Sequence, residues 1–256
     1  MTVKWLVSDS STSLANGLPF FESMVFDRWG HLAESIRRGR PAVPGFEWLD
    51  EHPGGYRIYE EGMIATARIT ADEVVRRVTL PARARQLLDV GGGHGLYRIR
   101  FCRRYPNLSA TVFDLPQALE TARAMIAAER TGQRVSVLEG DFWVDDVGGG
   151  FDVLLLFNVI HAYSPEKNVE LLRKMSGALN EGGLIVILEQ LPGKVFGSTA
   201  TALARLQALN FFNDLGGQTY SFDQIASWLT ESGFNNPRRI TLRRMPGFSL
   251  CLGKGP

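Results

Sequence analysis

The chain has 256 residues, 45% hydrophobic and 21% charged, the composition of an ordinary globular protein rather than a disordered or fibrous one. Lys plus Arg number 28 and Asp plus Glu 27, so no net field draws it to nucleic acid or an anionic membrane, and both are set aside as partners. Two cysteines, Cys102 and Cys251, are too few and too far apart for a metal framework; they read as reduced core thiols of a cytoplasmic protein, with a single disulfide as the alternative.

In chain order, residues 1–7 turn polar at Ser8 before the apolar region of a signal peptide develops. Residues 1–82 read as a helical segment that serves as a lid on a substrate pocket. Their spacing predicts a helix around Phe20, Met24, Val25, Trp29 and Leu32, and a basic stop at Arg37-Arg38-Gly39. A Pro/Gly-rich stretch over 41–55 follows, then a second helical pattern around Met63, Ile64, Ile69, Val74, Val75 and Val78 that ends near Pro81. In residues 83–256, short apolar runs alternate with amphipathic patterns. Strands are expected at 86–90, 110–113, 135–138, 153–157 and 184–188, and helices at 97–104, 116–129, 166–179 and 221–232. That alternation predicts a doubly wound, Rossmann-like α/β fold with a parallel sheet covered on both faces. Ligands of such sheets bind beyond the carboxyl ends of the strands. No apolar run approaches a membrane span.

After the first expected strand stands Asp89-Val90-Gly91-Gly92-Gly93-His94-Gly95, a D-x-G-x-G-x-G run. Gly91 and Gly93 permit a tight turn and let the backbone approach a ligand. The dinucleotide pattern G-x-G-x-x-G fails because its third glycine falls on Leu96 or Arg98, which disfavours a nicotinamide cofactor. Asp114 closes the second strand, placed to accept both hydroxyl hydrogens of a ribose. Asp141, with Phe142 beside it, follows the third strand, placed to accept from an adenine amine. Each aspartate taken alone reads equally as a helix N-cap. In this order with the glycine turn, they describe a nucleoside site without phosphate machinery, which is the pattern of an S-adenosylmethionine (SAM) pocket.

His161 stands at the carboxyl end of the fourth strand, on the same rim, and Glu189 follows the fifth, able to hold an imidazole by its other nitrogen. The plainer readings are a packed or surface histidine and a solvated loop carboxylate. Asn210, Phe211 and Met63 are candidate substrate-pocket residues, and equally candidate core.

With these motifs the chain resembles the plant-type and bacterial O-methyltransferases of the caffeic acid/polyketide group over residues 15–250. The likeness rests on the 89–95 run, Asp114-Leu115-Pro116, Gly140-Asp141-Phe142, His161, Glu181-Gly182-Gly183, Glu189 and Gly216-Gly217. It implies SAM as methyl donor, held by Gly91, Asp114, Asp141 and Phe142, and His161 as general base with Glu189 flanking it. The implied acceptor is a hydroxyl of a small aromatic or polyketide-like molecule of secondary metabolism, methylated without a metal. Four departures stand out. Ala162 and Tyr163 replace an Asp or Asn and a Trp, Phe157 replaces a Lys, and Thr219 replaces a second flanking Glu. The resemblance sets residue 1 after the family's winged-helix dimerisation segment, and a monomer or weak homodimer is expected. Two other readings stay open: a SAM-binding member that does not methylate oxygen, acting as a hydroxylase or assembly partner, and a C- or N-methyltransferase.

Overall fold

The computed structural model describes residues 13–129, 132–193 and 197–256; the signal-peptide reading of residues 1–8 lies outside them. Five strands alternate with helices as the sequence pattern predicts: β1 (Gln86–Val90), β2 (Ser109–Asp114), β3 (Val135–Glu139), β4 (Phe151–Phe157) and β5 (Leu179–Gln190). Two more, β6 (Asn235–Thr241) and β7 (Phe248–Lys254), complete a seven-stranded sheet in the order β3-β2-β1-β4-β5-β7-β6. β1 to β5 run parallel, whereas β7 is antiparallel to both β5 and β6. The doubly wound fold is therefore present with a mixed sheet, a correction to the wholly parallel one expected. β6 is an edge strand with only Pro237 and Ile240 half-buried. Such a strand is held by backbone pairing along one side and carries no apolar alternation to read.

The helices are α1 (Phe26–Gly30), α2 (Leu32–Arg38), α3 (Gly45–Glu51), α4 (Gly55–Arg77), α5 (Leu96–Arg104), α6 (Leu119–Ala127), α7 (Pro165–Ala178), α8 (Ser198–Leu215) and α9 (Phe222–Glu231), with a π-helical turn, Phe20–Val25, leading into α1. α3 and the start of α4 occupy the stretch read as a loop. Extended Pro44 lets α3 begin at Gly45, and left-handed Gly54 opens α4 two turns ahead of the predicted start. α8 carries no prediction. Local capping sets other boundaries: the Ser164 hydroxyl accepts the Lys167 amide with Pro165 in the first turn, and Ser221 and Gln224 form a reciprocal capping box at α9.

The core lies on both faces of the sheet. Along β4, Val153 and Leu155 enter one apolar cluster and Leu154 and Leu156 the other; along β5, Leu184, Val186 and Leu188 oppose Ile185 and Ile187 in the same way. This is the period-two alternation of strand side chains, here apolar on both faces because helices cover both. Each such side chain contributes about 1.5–3 kcal/mol. A third cluster of Phe20, Met24, Trp48 and Leu49 holds the leading helical segment together. Cys102 and Cys251 are free and buried. Among the described residues no helix is long and apolar enough to cross a membrane.

Candidate active site

Because β1 to β5 are parallel neighbours, their carboxyl ends form one rim. From the β3 edge inward it carries Asp141, then Asp114, the glycine turn, His161 and Glu189. The residues singled out from the sequence are thus aligned by the strand order.

At the first strand end the turn is drawn onto β2. The Gly91 amide donates to the Phe113 carbonyl at 2.9 Å, and Gly93, at φ 46°, donates to Asp114 Oδ2 at 2.7 Å. Asp114 Oδ1 accepts from Leu115 at 2.8 Å. Asp114 therefore staples the turn instead of capping α6, which starts at Leu119. Each of its oxygens keeps a lone pair for a further donor. Burial pushes this carboxyl up, while the Gly93 and Leu115 amides and the Arg98 charge pull against that. Asp141 Oδ1 accepts the Trp143 amide at 2.8 Å within a turn that no helix follows, so it is not the helix N-cap of the plainer reading. Phe142, Trp143 and Tyr163 pack on one another, with Phe142 meeting Tyr163 edge-on at 5.9 Å.

Under the turn, fully buried Arg98 donates to Asp89 Oδ2 and to the Gly92 carbonyl, each at 2.6 Å. His94 Nδ1 accepts the Leu96 amide at 3.0 Å, and burial pushes its ring down to about 3, so it is neutral. Glu60 of α4 is a residue the sequence reading missed. A Cβ on Gly93 would sit 2.7 Å from Glu60 Oε1, so the carboxylate presses on the turn. A lone Glu inside a helix gives no signal for this.

At the fourth strand end, Asn158 takes a left-handed φ of 56° and donates its amide to Leu188 at 2.9 Å. Non-glycine residues rarely hold that conformation, and those that do cluster at functional sites. It turns the chain into the 3-10 turn Ile160–Ala162 that carries His161. His161 Nδ1 lies 2.9 Å from Glu189 Oε2. Glu189 is the penultimate residue of β5 and 2% exposed, not the solvated loop carboxylate of the plainer reading. Phe211 stacks flat on the imidazole at 3.8 Å. The turn after α8 holds the other side: Gln218 donates its amide to the His161 carbonyl at 2.9 Å, and only the missing side chain of Gly217 permits that approach.

Behind Phe211, α8 grips the leading helices. Asp214 pairs with Arg28 at 2.5 Å, Asn213 donates to the Arg28 carbonyl at 3.0 Å, and Asn210 accepts from the Trp29 indole at 2.7 Å. Burial pushes the Asp214 carboxyl up and the Arg28 guanidinium down, each opposed by the other's charge. The His161 charge acts on Asp214 as well. A second carboxylate near the histidine thus comes from α8. Of the three pocket candidates, Phe211 reaches His161, Asn210 spends its amide oxygen on Trp29, and Met63 packs against the leading cluster. Phe157 is core, edge-on to Tyr97 at 4.9 Å.

Comparison with known proteins gives the family of the chain. A family model described as O-methyltransferase domain matches residues 29–235. A 3-hydroxy-5-methyl-1-naphthoate 3-O-methyltransferase of Streptomyces sahachiroi is 28% identical, over 83% of this chain and 61% of its own length. A 3-amino-4-hydroxybenzoate 4-O-methyltransferase of Streptomyces cremeus is 31% identical, over 93% of this chain and 65% of its own. Human N-acetylserotonin methyltransferase, solved in complex with SAM, superposes with a TM-score of 0.85 at 23% identity, covering 99% of this chain and 74% of that one. The chain spans about three fifths of the length of these curated relatives.

Proposed function

Since the chain belongs to the O-methyltransferase domain family, we propose that it transfers a methyl group from SAM to a hydroxyl of a small aromatic or polyketide-like molecule, with His161 as general base. The observation that carries the reading is the buried His161–Glu189 pair, 2.9 Å apart, on the same rim as the glycine turn and Asp114. The phenolic acids named for the two Streptomyces relatives support an aromatic acceptor.

The residues present fit the donor. A Cβ at Gly91 would meet Val159 at 2.9 Å, so the turn admits no side chain there, and the carboxylate of Asp114 at the β2 end keeps free lone pairs, with Asp141 following β3 beyond it. Asp141 and Phe142 would take the adenine, Asp114 the ribose, and Gly91 and Gly93 the remaining end. Bound there, SAM supplies a methyl group already activated on a sulfonium. A phenolic acceptor, pKa about 10, is a poor nucleophile at neutral pH, and a placed base is worth about 100- to 10,000-fold. With Glu189 accepting from Nδ1–H, His161 presents the lone pair of Nε2 and takes the hydroxyl proton there. Glu189 then stabilises the imidazolium, as the carboxylate of a catalytic triad does. Phe211 fixes the ring plane. Residues 1–82 act as the lid, with Arg28 and Trp29 tied to α8; a monomer or weak homodimer is the expected assembly, checked by light scattering. Two buried free thiols suit a reducing cytoplasm.

The test is His161→Ala with labelled SAM and a panel of phenolic and polyketide acceptors. Methyl transfer should fall at least ~100-fold near neutral pH, with SAM affinity nearly intact and the deficit shrinking at alkaline pH as the phenol ionises unaided. A variant that turns over a phenolic acceptor at the parent rate removes the base assignment. Product analysis by mass spectrometry separates O- from C- or N-methylation.

A further inference from the structure

The catalytic reading leaves Glu60 unused. It lies on α4, 3% exposed, and its Oε2 has no hydrogen-bond partner among the described residues. The carboxylate sits against Gly93, where a Cβ would come within 2.7 Å of Oε1 and 2.8 Å of Oε2. Gly93 is also the residue whose amide is spent on Asp114, so two carboxylates flank one glycine. The groups acting on Glu60 are Asp114 from the end of β2, Arg98 from α5, the His94 backbone in the turn and Tyr59 beside it on α4. Of these only Arg98 is a cation, and its guanidinium is committed to Asp89 and the Gly92 carbonyl. The neighbouring His94 ring is neutral. The His94 amide serves one side of the carboxyl, and a buried oxygen left without a donor, as Oε2 is, is costly unless a partner arrives.

Resting on the SAM reading above, we propose that Glu60 is a further donor-binding residue whose carboxylate accepts a charge-assisted hydrogen bond from the α-ammonium at the amino-acid end of SAM. The strand order carries the direction. With adenine at the β3 end and ribose at β2, the amino-acid end falls at β1, where the glycine turn meets Glu60. The orphaned Oε2 needs a donor, which the ammonium has and the sulfonium lacks. Without ligand, burial and the Asp114 charge push the Glu60 carboxyl up to about 8, so it holds a proton at neutral pH. A cation set against it favours the ionised form, and that proton leaves to solvent as SAM binds.

The experiment is calorimetric titration of wild type and Glu60→Gln with SAM and with 5′-methylthioadenosine, which keeps the nucleoside and lacks the amino-acid end. Glu60→Gln should weaken SAM about 10- to 100-fold and change methylthioadenosine less than about twofold. Wild type at pH 7 should release a proton on binding SAM, read as a heat that differs between phosphate and Tris buffers. If the variant fails to fold, the wild-type proton release decides alone. Equal losses for both ligands, unchanged SAM affinity, or no proton release while wild type binds SAM each overturn the Glu60 assignment and leave the SAM reading standing. Wild type that binds neither ligand overturns both.

Discussion

Gly217→Ala isolates the contact between the turn after α8 and His161, the proposed base. The added Cβ would lie 3.0 Å from the His161 carbonyl carbon and 3.2 Å from Ala162 Cα, with the His161 oxygen nearer still. Carbon atoms rest at about 3.5–4.0 Å, so the two segments must part by roughly 1 Å. Two hydrogen bonds run through that contact, Gln218 amide to His161 carbonyl at 2.9 Å and Gly217 amide to Phe211 carbonyl at 3.1 Å. Phe211 and His161 are the stacked pair, so separation shifts the imidazole against both Glu189 and the acceptor. A displacement of about 1 Å costs about 100-fold in rate, and overpacking costs about 1–3 kcal/mol of stability. Steady-state methyl transfer with labelled SAM reads the first, and urea unfolding the second. SAM affinity by calorimetry should change less than the rate, because Asp114 lies two strand ends away on β2 and the glycine turn one strand end away on β1. Gly177→Ala is the matched control: exposed near the end of α7, with nothing within 4 Å of its Cβ. It should stabilise by about 0.5–1 kcal/mol at an unchanged rate. A folded Gly217→Ala protein with the parent kcat refutes the positioning argument.

Asp114→Ala removes the two acceptors proposed for the ribose and frees the Gly93 amide, and should weaken SAM by about 10- to 100-fold in a folded protein; calorimetry showing parent affinity takes Asp114 out of the site. Asp214→Ala strands Arg28, which is 1% exposed, and should cost about 3–5 kcal/mol in denaturant unfolding, whereas Arg28→Met with Asp214→Leu should recover most of it. Equal losses in the single and double variants would contradict the pairing. For His94, the folded ring titrates near 3 and the unfolded ring at the ordinary 6.5. Between those values the unfolded chain binds the extra proton, so stability is complete above about 6.5 and falls as pH drops toward 3. His94→Asn, which keeps an acceptor for the Leu96 amide, should flatten the decline in melting temperature from pH 7 to 4, and parallel slopes would count against it.

Short-range patterns determined a good part of this protein. Apolar runs alternating with amphipathic stretches marked β1 to β5, α5 to α7 and α9, because each of those elements buries a face whose period is written in adjacent residues. Strand ends in a parallel sheet share one rim, so Gly91, Gly93, Asp114, Asp141 and His161 were locatable from position alone. The antiparallel β7, the edge strand β6 and α8 were not, since pairing direction and edge placement depend on partners distant in the chain. Glu189 was legible as a partner for His161, but its burial inside β5 came only with the antiparallel cover of β7. Glu60 against Gly93, Phe211 on the imidazole and Arg28 against Asp214 join residues 33, 50 and 186 positions apart. Such contacts leave no local period, because it is the packing of α4 and α8 across the rim that selects which charges and rings meet.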